Sequence, residues 1–234
     1  MERKDLYDAI WKRTSVRKYD ERPIEKEKIE QLRKSISSLN ETSGLTMEFA
    51  EEFDSFKSVL TIMFKGVRSA IVIKGKKNDP DLREKCGYYG EIIVLEATAL
   101  GLGTCWVAGF NKKSRSLNAG DDEEVVCVIS IGYGRDGMCA PATVPRRKTR
   151  SVSDFLNGNV DVPDWIKTAM VSVQFAPTAM NSQKTRFLYS GGTLYAEIPA
   201  GRFTMIDLGI TKLHFELAAD GKFELGSPGR FVKN

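Results

Sequence analysis

The segment "FAPTAMNSQKTRF" (residues 175–187) decides how the whole chain is interpreted. It combines a proline, small polar side chains and an Asn-x-Gln pair, between a helix-like run and a strand-like run. Amide side chains both donate and accept hydrogen bonds, so the segment suits a flat ligand with a polar edge. Taken alone, it also fits an ordinary connection between a helix and a strand. The residues that could bind the rest of such a ligand lie far away in sequence.

The composition limits the possible functions. The chain has 234 residues, of which 41% are hydrophobic, enough for the core of one large domain or two small ones. No apolar run is long enough to span a membrane, and the charged N-terminus lacks the features of a secretory signal. We therefore expect a cytoplasmic protein without a membrane partner. The net charge of +4 does not indicate nucleic acid, but it suits a small anionic ligand.

The cysteines and the single histidine argue against a metal site. Four cysteines occur singly, without the spacing of metal ligands, and Cys105 and Cys127 lie in apolar runs typical of a core. His214 is the only histidine, which argues against a His-based metal site, although it could sit beside one metal ion or act as one base. Its helix-like surroundings favour a structural role. We expect no bound metal.

Apolar periodicity predicts helices over residues 3–13, from Pro23 to about residue 39, and from about residue 81 to Gly101. Runs rich in β-branched residues predict strands over 70–76 and 123–134. Farther along, the pattern predicts a linker over 151–163, then a helix, two strands joined by Gly191-Gly192, and a final helix over 213–221.

The second part of the chain resembles the first in weakened form. A shift of 120 positions aligns Glu216 with Glu96 and Gly221 with Gly101. The pairing of "NETSGLTMEF" (40–49) with "AMNSQKTRF" (179–187) needs a shift of 138 instead. The difference indicates an insertion in the first copy, over residues 55–66. The alternative is that any two helix–strand–helix units of similar polarity can be aligned in this way.

The sequence "GYGRDG" (132–137) has the Gly-x-Gly-x-x-Gly spacing of a dinucleotide-binding loop. That loop binds pyrophosphate at the N-terminus of a helix that follows the glycines. Pro141 and Pro145 prevent a continuous helix there. We therefore interpret the glycines as a turn that ends a strand.

Two short basic clusters could bind a phosphate. Arg13, Ser15 and Arg17 alternate in one loop, and Lys148 and Arg150 alternate in another. Residues two apart in an extended segment point the same way, so each cluster could face one anion. Each cluster alone also fits a solvated surface.

These motifs identify a resemblance to the FMN-dependent nitroreductase family, closest to its tandem, single-chain members. The family's Arg-x-Ser-x-Arg/Lys loop, matched by Arg13, Thr14, Ser15 and Arg17, binds the flavin phosphate and ribityl chain. The resemblance implies that Lys148 and Arg150 also contact the phosphate. The stretch "ALGLGTCWVAGF" (99–110) is similar to the loop that approaches flavin N5, which implies Ala108 and Gly109 on that side.

One family motif is displaced. The Pro-Ser-x-x-Asn-x-Gln loop that normally follows the second helix is missing there, and "PTAMNSQ" (177–183) resembles it instead. In the family this loop reaches the flavin ring from the second subunit. The resemblance therefore implies an α+β, nitroreductase-like fold in which a dimer is fused into one chain, with halves 1–156 and 157–234.

The fused arrangement implies one complete FMN site and one vestigial site in a monomer. Pro177, Thr178, Asn181 and Gln183 are the residues expected at the ring edge.

The resemblance implies an FMN-dependent oxidoreductase. NADH or NADPH would deliver hydride to flavin N5, and a nitroaromatic or quinone-like acceptor would be reduced on the same face. The chemistry is carried by the flavin, so no catalytic side chain is expected. Trp106, Phe110 or Phe64 could form the wall of the substrate cleft. Two alternatives stay open: a flavin-binding sensor or store without turnover, and a scaffold that binds no flavin.

Overall fold

The protein was analysed as a computed structural model. The structure describes residues 1–54, 63–107, 109–110, 117–137, 139–157 and 161–234. All statements below concern these residues.

The first part of the chain forms a four-stranded antiparallel sheet with three helices. The helices are α1 (Arg3–Ile10), α2 (Lys26–Ser43) and α3 (Leu82–Ala99), and the strands are β1 (Thr46–Ala50), β2 (Ser69–Lys76), β3 (Gly103–Val107) and β4 (Glu123–Gly132). The strand order is β1-β2-β4-β3. The strands β2 and β4 occupy the centre, which explains their long runs of β-branched residues.

The second part forms a five-stranded sheet with shorter strands. Its elements are α4 (Val152–Phe155), β5 (Leu156–Asn157), α5 (Asp164–Val173), β6 (Arg186–Ser190), β7 (Thr193–Glu197), α6 (Thr204–Ala218), β8 (Gly221–Phe223) and β9 (Gly229–Lys233). The order is β5-β6-β7-β9-β8, and only the β5–β6 pair is parallel. Helices and mainly antiparallel sheets make this an α+β fold, as the sequence predicts.

The helices follow the predicted periodicity. In α2 the buried side chains include Ile29, Leu32 and Ile36, which repeat on one face. The helix ends at Gly44, whose φ of 72° is left-handed and therefore suits glycine. Likewise, Gly191 and Gly192 have positive φ and turn the chain between β6 and β7.

The helices α3 and α6 cross at two glycines and join the two parts of the molecule. A Cβ atom on Gly87 would lie 2.1 Å from the carbonyl oxygen of Ile206, and one on Gly209 would lie 2.1 Å from that of Glu84. The contacts are reciprocal, as at an interface with two-fold symmetry. Gly209 follows Gly87 by 122 positions, two more than the sequence alignment suggested. This reciprocity supports the interpretation as a fused dimer.

The boundary between the halves stays a prediction. Phe155 is buried in the core cluster of the second sheet, and Leu156 packs against the same cluster. These residues lie at the end of the predicted first half. We therefore propose that the second half begins a few residues earlier, at α4.

The "GYGRDG" segment forms turns after β4. No helix occurs among the described residues between β4 and α4. Tyr19 forms an isolated bridge with Gly134, and its ring would lie 3.1 Å from a Cβ atom on Gly132. The glycines therefore allow the loop after α1 to lie close to the end of β4.

Candidate functional site

Two neighbouring cavities lie between the loop after α1 and the segments flanking α5 and α6. The first, which we call the apolar cavity, has a volume of about 320 Å³. The second, which we call the basic cavity, has a volume of about 340 Å³. Ser15 and Arg17 line both, so the cavities are adjacent. Together they can accommodate a ligand with an apolar part and an anionic part.

Both parts of the chain form the apolar cavity. The strand β3 contributes Trp106 and Val107, and α6 contributes Ile206 and Ile210. The segment 177–180 lies between them, with Pro177 and Thr178 in the lining. Phe64 and Gly109 also line this cavity. Segments more than 60 residues apart in sequence therefore meet here, through the α3–α6 contact.

The loop 178–183 has an unusual backbone. Met180, Asn181 and Gln183 have φ values of 51°, 55° and 48°, in the left-handed region. This conformation costs about 1–2 kcal/mol for Met180 and for Gln183, and less for Asn181, because asparagine tolerates it. A loop persists in such a state only when surrounding contacts hold it. Met180 is 94% exposed at the edge of the cavity, so burial of its side chain does not supply that stabilisation.

Hydrogen bonds to residues 148–150 hold the loop. Gln183 Oε1 accepts from Thr149 Oγ1 and from the Arg150 backbone N–H, both at 2.9 Å. Its Nε2 donates to the Lys148 carbonyl oxygen at 3.0 Å. Asn181 Nδ2 donates to the same oxygen at 2.8 Å. The Asn-x-Gln pair is thus engaged within the protein, where it fixes the loop beside the cavities.

The basic cavity is lined by two arginines that each have one buried, unpaired nitrogen. Arg13 Nε and Arg147 Nη1 are buried and have no hydrogen-bond partner among the described residues. Arg147 Nη2 donates to the Ala176 carbonyl oxygen at 2.6 Å, which fixes its position. Burial, with a smaller effect of Arg13, lowers the pKa of Arg147 to about 10. Two buried cations with free donors form a site for an anion such as phosphate.

Glu91 compensates part of this charge. Its side chain on α3 is fully buried, and Oε1 lies 3.9 Å from Arg13 Nε, too far for a hydrogen bond. The same oxygen lies 3.0 Å from His214 Nε2, and Oε2 accepts from Trp106 Nε1 at 2.8 Å. Burial lowers the pKa of Arg13, and the carboxylate of Glu91 opposes that effect. Glu91 therefore links the basic cavity, the wall of the apolar cavity and α6.

Asp207 on α6 places a carboxyl group in the apolar cavity. Its side chain is only 3% exposed. Oδ1 accepts from the Ala179 backbone N–H at 2.9 Å, and Oδ2 lies 3.4 Å from Ser182 Oγ. Burial raises the pKa of Asp207 to about 6, and these hydrogen bonds oppose the shift. Asp207 thus helps to hold the loop 178–183, in addition to the hydrogen bonds from residues 148–150.

The structure brings most of the predicted site residues together. Arg13, Thr14, Ser15, Arg17 and Asn181 line the basic cavity. Gly109, Pro177 and Thr178 line the apolar cavity. Gln183, at the end of the loop, is buried and is not among the described lining residues of either cavity. Ala108 lies outside the described residues.

Lys148 and Arg150 are placed differently. Neither is among the described lining residues of the two cavities. Lys148 is exposed and contributes its carbonyl oxygen to the loop. Arg150 Nη1 donates to the Gln183 carbonyl oxygen at 3.1 Å, and its guanidinium lies 5.3 Å from the Phe155 ring centroid. Of this run, Arg146 and Arg147 line the basic cavity, and the buried, unpaired nitrogen belongs to Arg147.

Sequence reasoning missed Arg147 and Asp207. Arg147 belongs to the recognised "RRKTR" run, but residue spacing alone could not show which of its cations turns inward. Asp207 sits in an otherwise ordinary helical sequence, and nothing local distinguishes it from a surface aspartate. Its importance arises from burial against the loop, which only the folded chain creates.

Other kinds of site find no support in the described residues. These residues contain no group of three or more His, Cys, Asp or Glu side chains arranged to hold a metal ion. No helix in the described part of the chain is both long and apolar enough to cross a bilayer. His214 is buried and bonded to Glu91 and the Ser172 carbonyl oxygen, in a structural environment.

The chain is similar to known proteins in both sequence and fold. The sequence profile of a family described as "Putative TM nitroreductase" matches residues 5–219. Among solved structures, the chain is similar to a putative nitroreductase from Thermotoga maritima, with 25% sequence identity and a TM-score of 0.67. The similarity covers 99% of this chain and 94% of that one. The two chains thus share their fold along almost their full lengths.

Shorter proteins match part of the chain. A putative NADH dehydrogenase/NAD(P)H nitroreductase from Parabacteroides distasonis has 24% identity and a TM-score of 0.52, and it covers 66% of this chain and 98% of its own. An FMN-dependent nitroreductase from Clostridium difficile has 26% identity and a TM-score of 0.45, and covers 58% and 91% respectively. A search of curated proteins found no match.

Proposed function

Because the chain belongs to the family described as putative TM nitroreductases, we propose that it is an FMN-dependent oxidoreductase. The electron donor would be NADH or NADPH, and the acceptor a nitroaromatic or quinone-like molecule. The observation that carries this proposal is the pair of unpaired guanidinium nitrogens, of Arg13 and Arg147, next to an apolar cavity. Phosphate and a flat aromatic ring are the two ends of FMN, and they match these two environments.

The residues of the chain fit FMN in chemical terms. Arg13, Arg17 and Arg147 would bind the phosphate, because guanidinium groups form paired hydrogen bonds with its oxygens. Ser15 lines both cavities and would contact the linking ribityl chain. Trp106 and Ile206 would lie against the ring. When bound, FMN supplies two-electron chemistry, with hydride accepted from the nicotinamide at N5 and passed to the acceptor.

The protein's own contribution is to prepare the site before the cofactor arrives. Glu91 lowers the cost of burying Arg13 while leaving its Nε free for an anion. The loop 178–183 is held by residues 148–150 and by Asp207, so little ordering entropy is lost when a ligand binds. Preorganised cations of this kind favour tight retention of a dianionic phosphate.

Both halves of the proposed site come from one chain. We propose that the protein is cytoplasmic. We also propose that it is a monomer, because the segment 177–183 resembles the loop that the family resemblance assigns to a second subunit. We expect one flavin to occupy this pair of adjacent cavities.

The visible spectrum of the purified chain tests the proposal. We expect yellow protein with about one FMN per chain, eluting as a monomer from a sizing column. Addition of NADH or NADPH should bleach the flavin, and 4-nitrobenzoate or 1,4-benzoquinone should restore its colour. Colourless protein that gains no thermal stability with FMN would overturn the cofactor assignment. Flavin that no nicotinamide reduces would favour the flavin-binding protein without turnover.

A further inference from the structure

Asp207 is the one carboxyl group among the described residues that line the apolar cavity. It is 3% exposed, and Phe203, Ile206 and Ile210 line the same wall. A carboxylate in such surroundings is costly unless it is bonded, and Asp207 has only the Ala179 N–H at 2.9 Å and Ser182 Oγ at 3.4 Å. The group is therefore positioned to exchange a proton with whatever occupies the cavity.

The other ionisable groups in the described lining of the cavity are Arg17, Cys105 and Cys127. Burial raises the pKa of both thiols, which keeps them protonated near neutral pH. Lys184, which follows the loop, has a minor effect on Asp207 by its positive charge. Burial raises the pKa of Asp207 to about 6, within the range in which a carboxyl group can act as an acid.

We propose that Asp207 is the general acid that gives a proton to the electron acceptor in the apolar cavity. This inference rests on the proposed function. A quinone becomes a hydroquinone by gaining one hydride, supplied by the reduced cofactor, and one proton. The O–H bond of Asp207 breaks, a new O–H bond forms on the acceptor oxygen, and Asp207 is left as a carboxylate. Water then returns the proton to Asp207.

The surroundings of Asp207 suit both of its protonation states. The Ala179 N–H and the Ser182 hydroxyl stabilise the carboxylate that remains after proton transfer. The apolar wall stabilises the neutral acid before transfer. The cavity rim at Met180 is exposed, which leaves a route for water to restore the proton.

The decisive experiment compares two acceptors on the FMN-loaded, reduced protein between pH 5 and 8. 1,4-Benzoquinone needs a proton to become hydroquinone, whereas ferricyanide takes electrons only. In the wild type, the ratio of the benzoquinone rate to the ferricyanide rate should fall as the pH rises through about 6. In Asp207→Asn the ratio should be at least tenfold lower at pH 5 and independent of pH, because a general acid contributes about 10²–10⁴-fold.

The ratio cancels any effect of the substitution on flavin content or flavin reduction. Asp164→Asn, at an exposed aspartate of α5, is the matched control and should keep the wild-type ratio at every pH. A ratio in Asp207→Asn within twofold of the wild type across the range would overturn the proposal. Should that variant lose its flavin, the wild-type ratio still decides, since a ratio independent of pH contradicts an acid at this position.

A second readout needs neither flavin nor turnover. The folded pKa of Asp207, about 6, lies above its ordinary value of 3.8, so the folded protein binds the proton more tightly between these values. The stability of the flavin-free wild type relative to Asp207→Asn should therefore fall as the pH rises from 4 to 7. A constant difference would show that Asp207 does not titrate in this range. Wild-type protein that binds no FMN would instead refute the proposed function and leave this titration unaffected.

Discussion

At the scale of single residues, Arg147 illustrates how neighbours in sequence separate in space. The run "RRKTR" offers four cations within five positions. The guanidinium of Arg147 turns inward, where it bonds to the carbonyl oxygens of Gln174 and Ala176, while the side chain of Lys148 is exposed. The sequence singles out the run as a candidate, and the contact with the end of α5 turns Arg147 inward. The role of Lys148 and Arg150 at the phosphate stays an untested prediction.

Replacing Arg147 with alanine should weaken FMN binding strongly. The substitution removes a buried charge-assisted donor, worth about 1.5–3 kcal/mol, or roughly a tenfold to 150-fold rise in Kd. Fluorescence quenching of FMN on titration with flavin-free protein measures this constant. Lys148→Ala is the matched control, and its Kd should stay within about threefold of the wild type, since an exposed charge contributes little. Equal losses in both variants would place the phosphate nearer to Lys148.

At the scale of elements, the crossing of α3 and α6 is the contact that creates the site. The two helices approach closely because Gly87 and Gly209 have no side chains at the crossing. The helix α6 brings Ile206, Asp207 and Ile210 to the apolar cavity. Sequence periodicity predicted α3 to within two residues of its observed ends, but it placed the last helix at 213–221, whereas α6 begins at Thr204. It could not show that glycines far apart in the chain face each other, because periodicity carries no information about partners.

Gly209→Ala should destabilise the protein although alanine favours helices. Alanine stabilises a helix by about 1 kcal/mol relative to glycine, but the added Cβ would lie 2.1 Å from the Glu84 carbonyl oxygen. Backbone must then move, so we expect a net loss of about 2 kcal/mol or more in urea unfolding. Gly87→Ala should behave alike, since its Cβ meets the Ile206 carbonyl oxygen at the same distance.

Ser37→Ala, on an exposed face of α2, serves as the control for this measurement. Its unfolding free energy should change by no more than about 0.5 kcal/mol. If Gly209→Ala were as stable as this control, the close approach of α3 and α6 would contribute little to the free energy of unfolding.

At the scale of the whole molecule, buried charges join the two halves. Lys212 on α6 pairs with Glu84 on α3, and both side chains are almost completely buried. Lys212 Nζ also donates to the carbonyl oxygens of Glu224 and Gly226, each at 2.8 Å, and Glu84 Oε2 accepts from the Gly226 N–H at 2.7 Å. Ions buried in this way fix the alignment of the halves, since any displacement leaves a charge without a partner.

Lys212→Met should reduce the unfolding free energy by about 3–5 kcal/mol, because Glu84 is left buried without its cation. The double variant Lys212→Met/Glu84→Gln removes both charges and should recover at least about 1 kcal/mol of this loss. Urea unfolding of the wild type, both single variants and the double variant measures the coupling. Strictly additive losses would show that the pair does not hold the halves together.

The sequence by itself determined the α+β class, most helices, four of the nine strands in the described part of the chain, and the family. The resemblance to nitroreductases is confirmed by the match over residues 5–219 and by the fold shared with the Thermotoga maritima protein. These properties follow from local patterns, since periodicity and turn residues act within a few positions of the chain. The order and spacing of short motifs along the chain carried the family resemblance in the same way.

Only the tertiary structure decided which side chains form the candidate site. Arg147 and Asp207 are defined by burial against segments distant in sequence, and Asn181 and Gln183 are engaged in holding their own loop. Burial raises the free energy of an unpaired charge and thereby favours a ligand or a proton that can compensate it. The burial of these residues depends on the packing of α3 against α6. No stretch of sequence contains that packing, so the proposed chemistry of the cavities emerges only when the two halves meet.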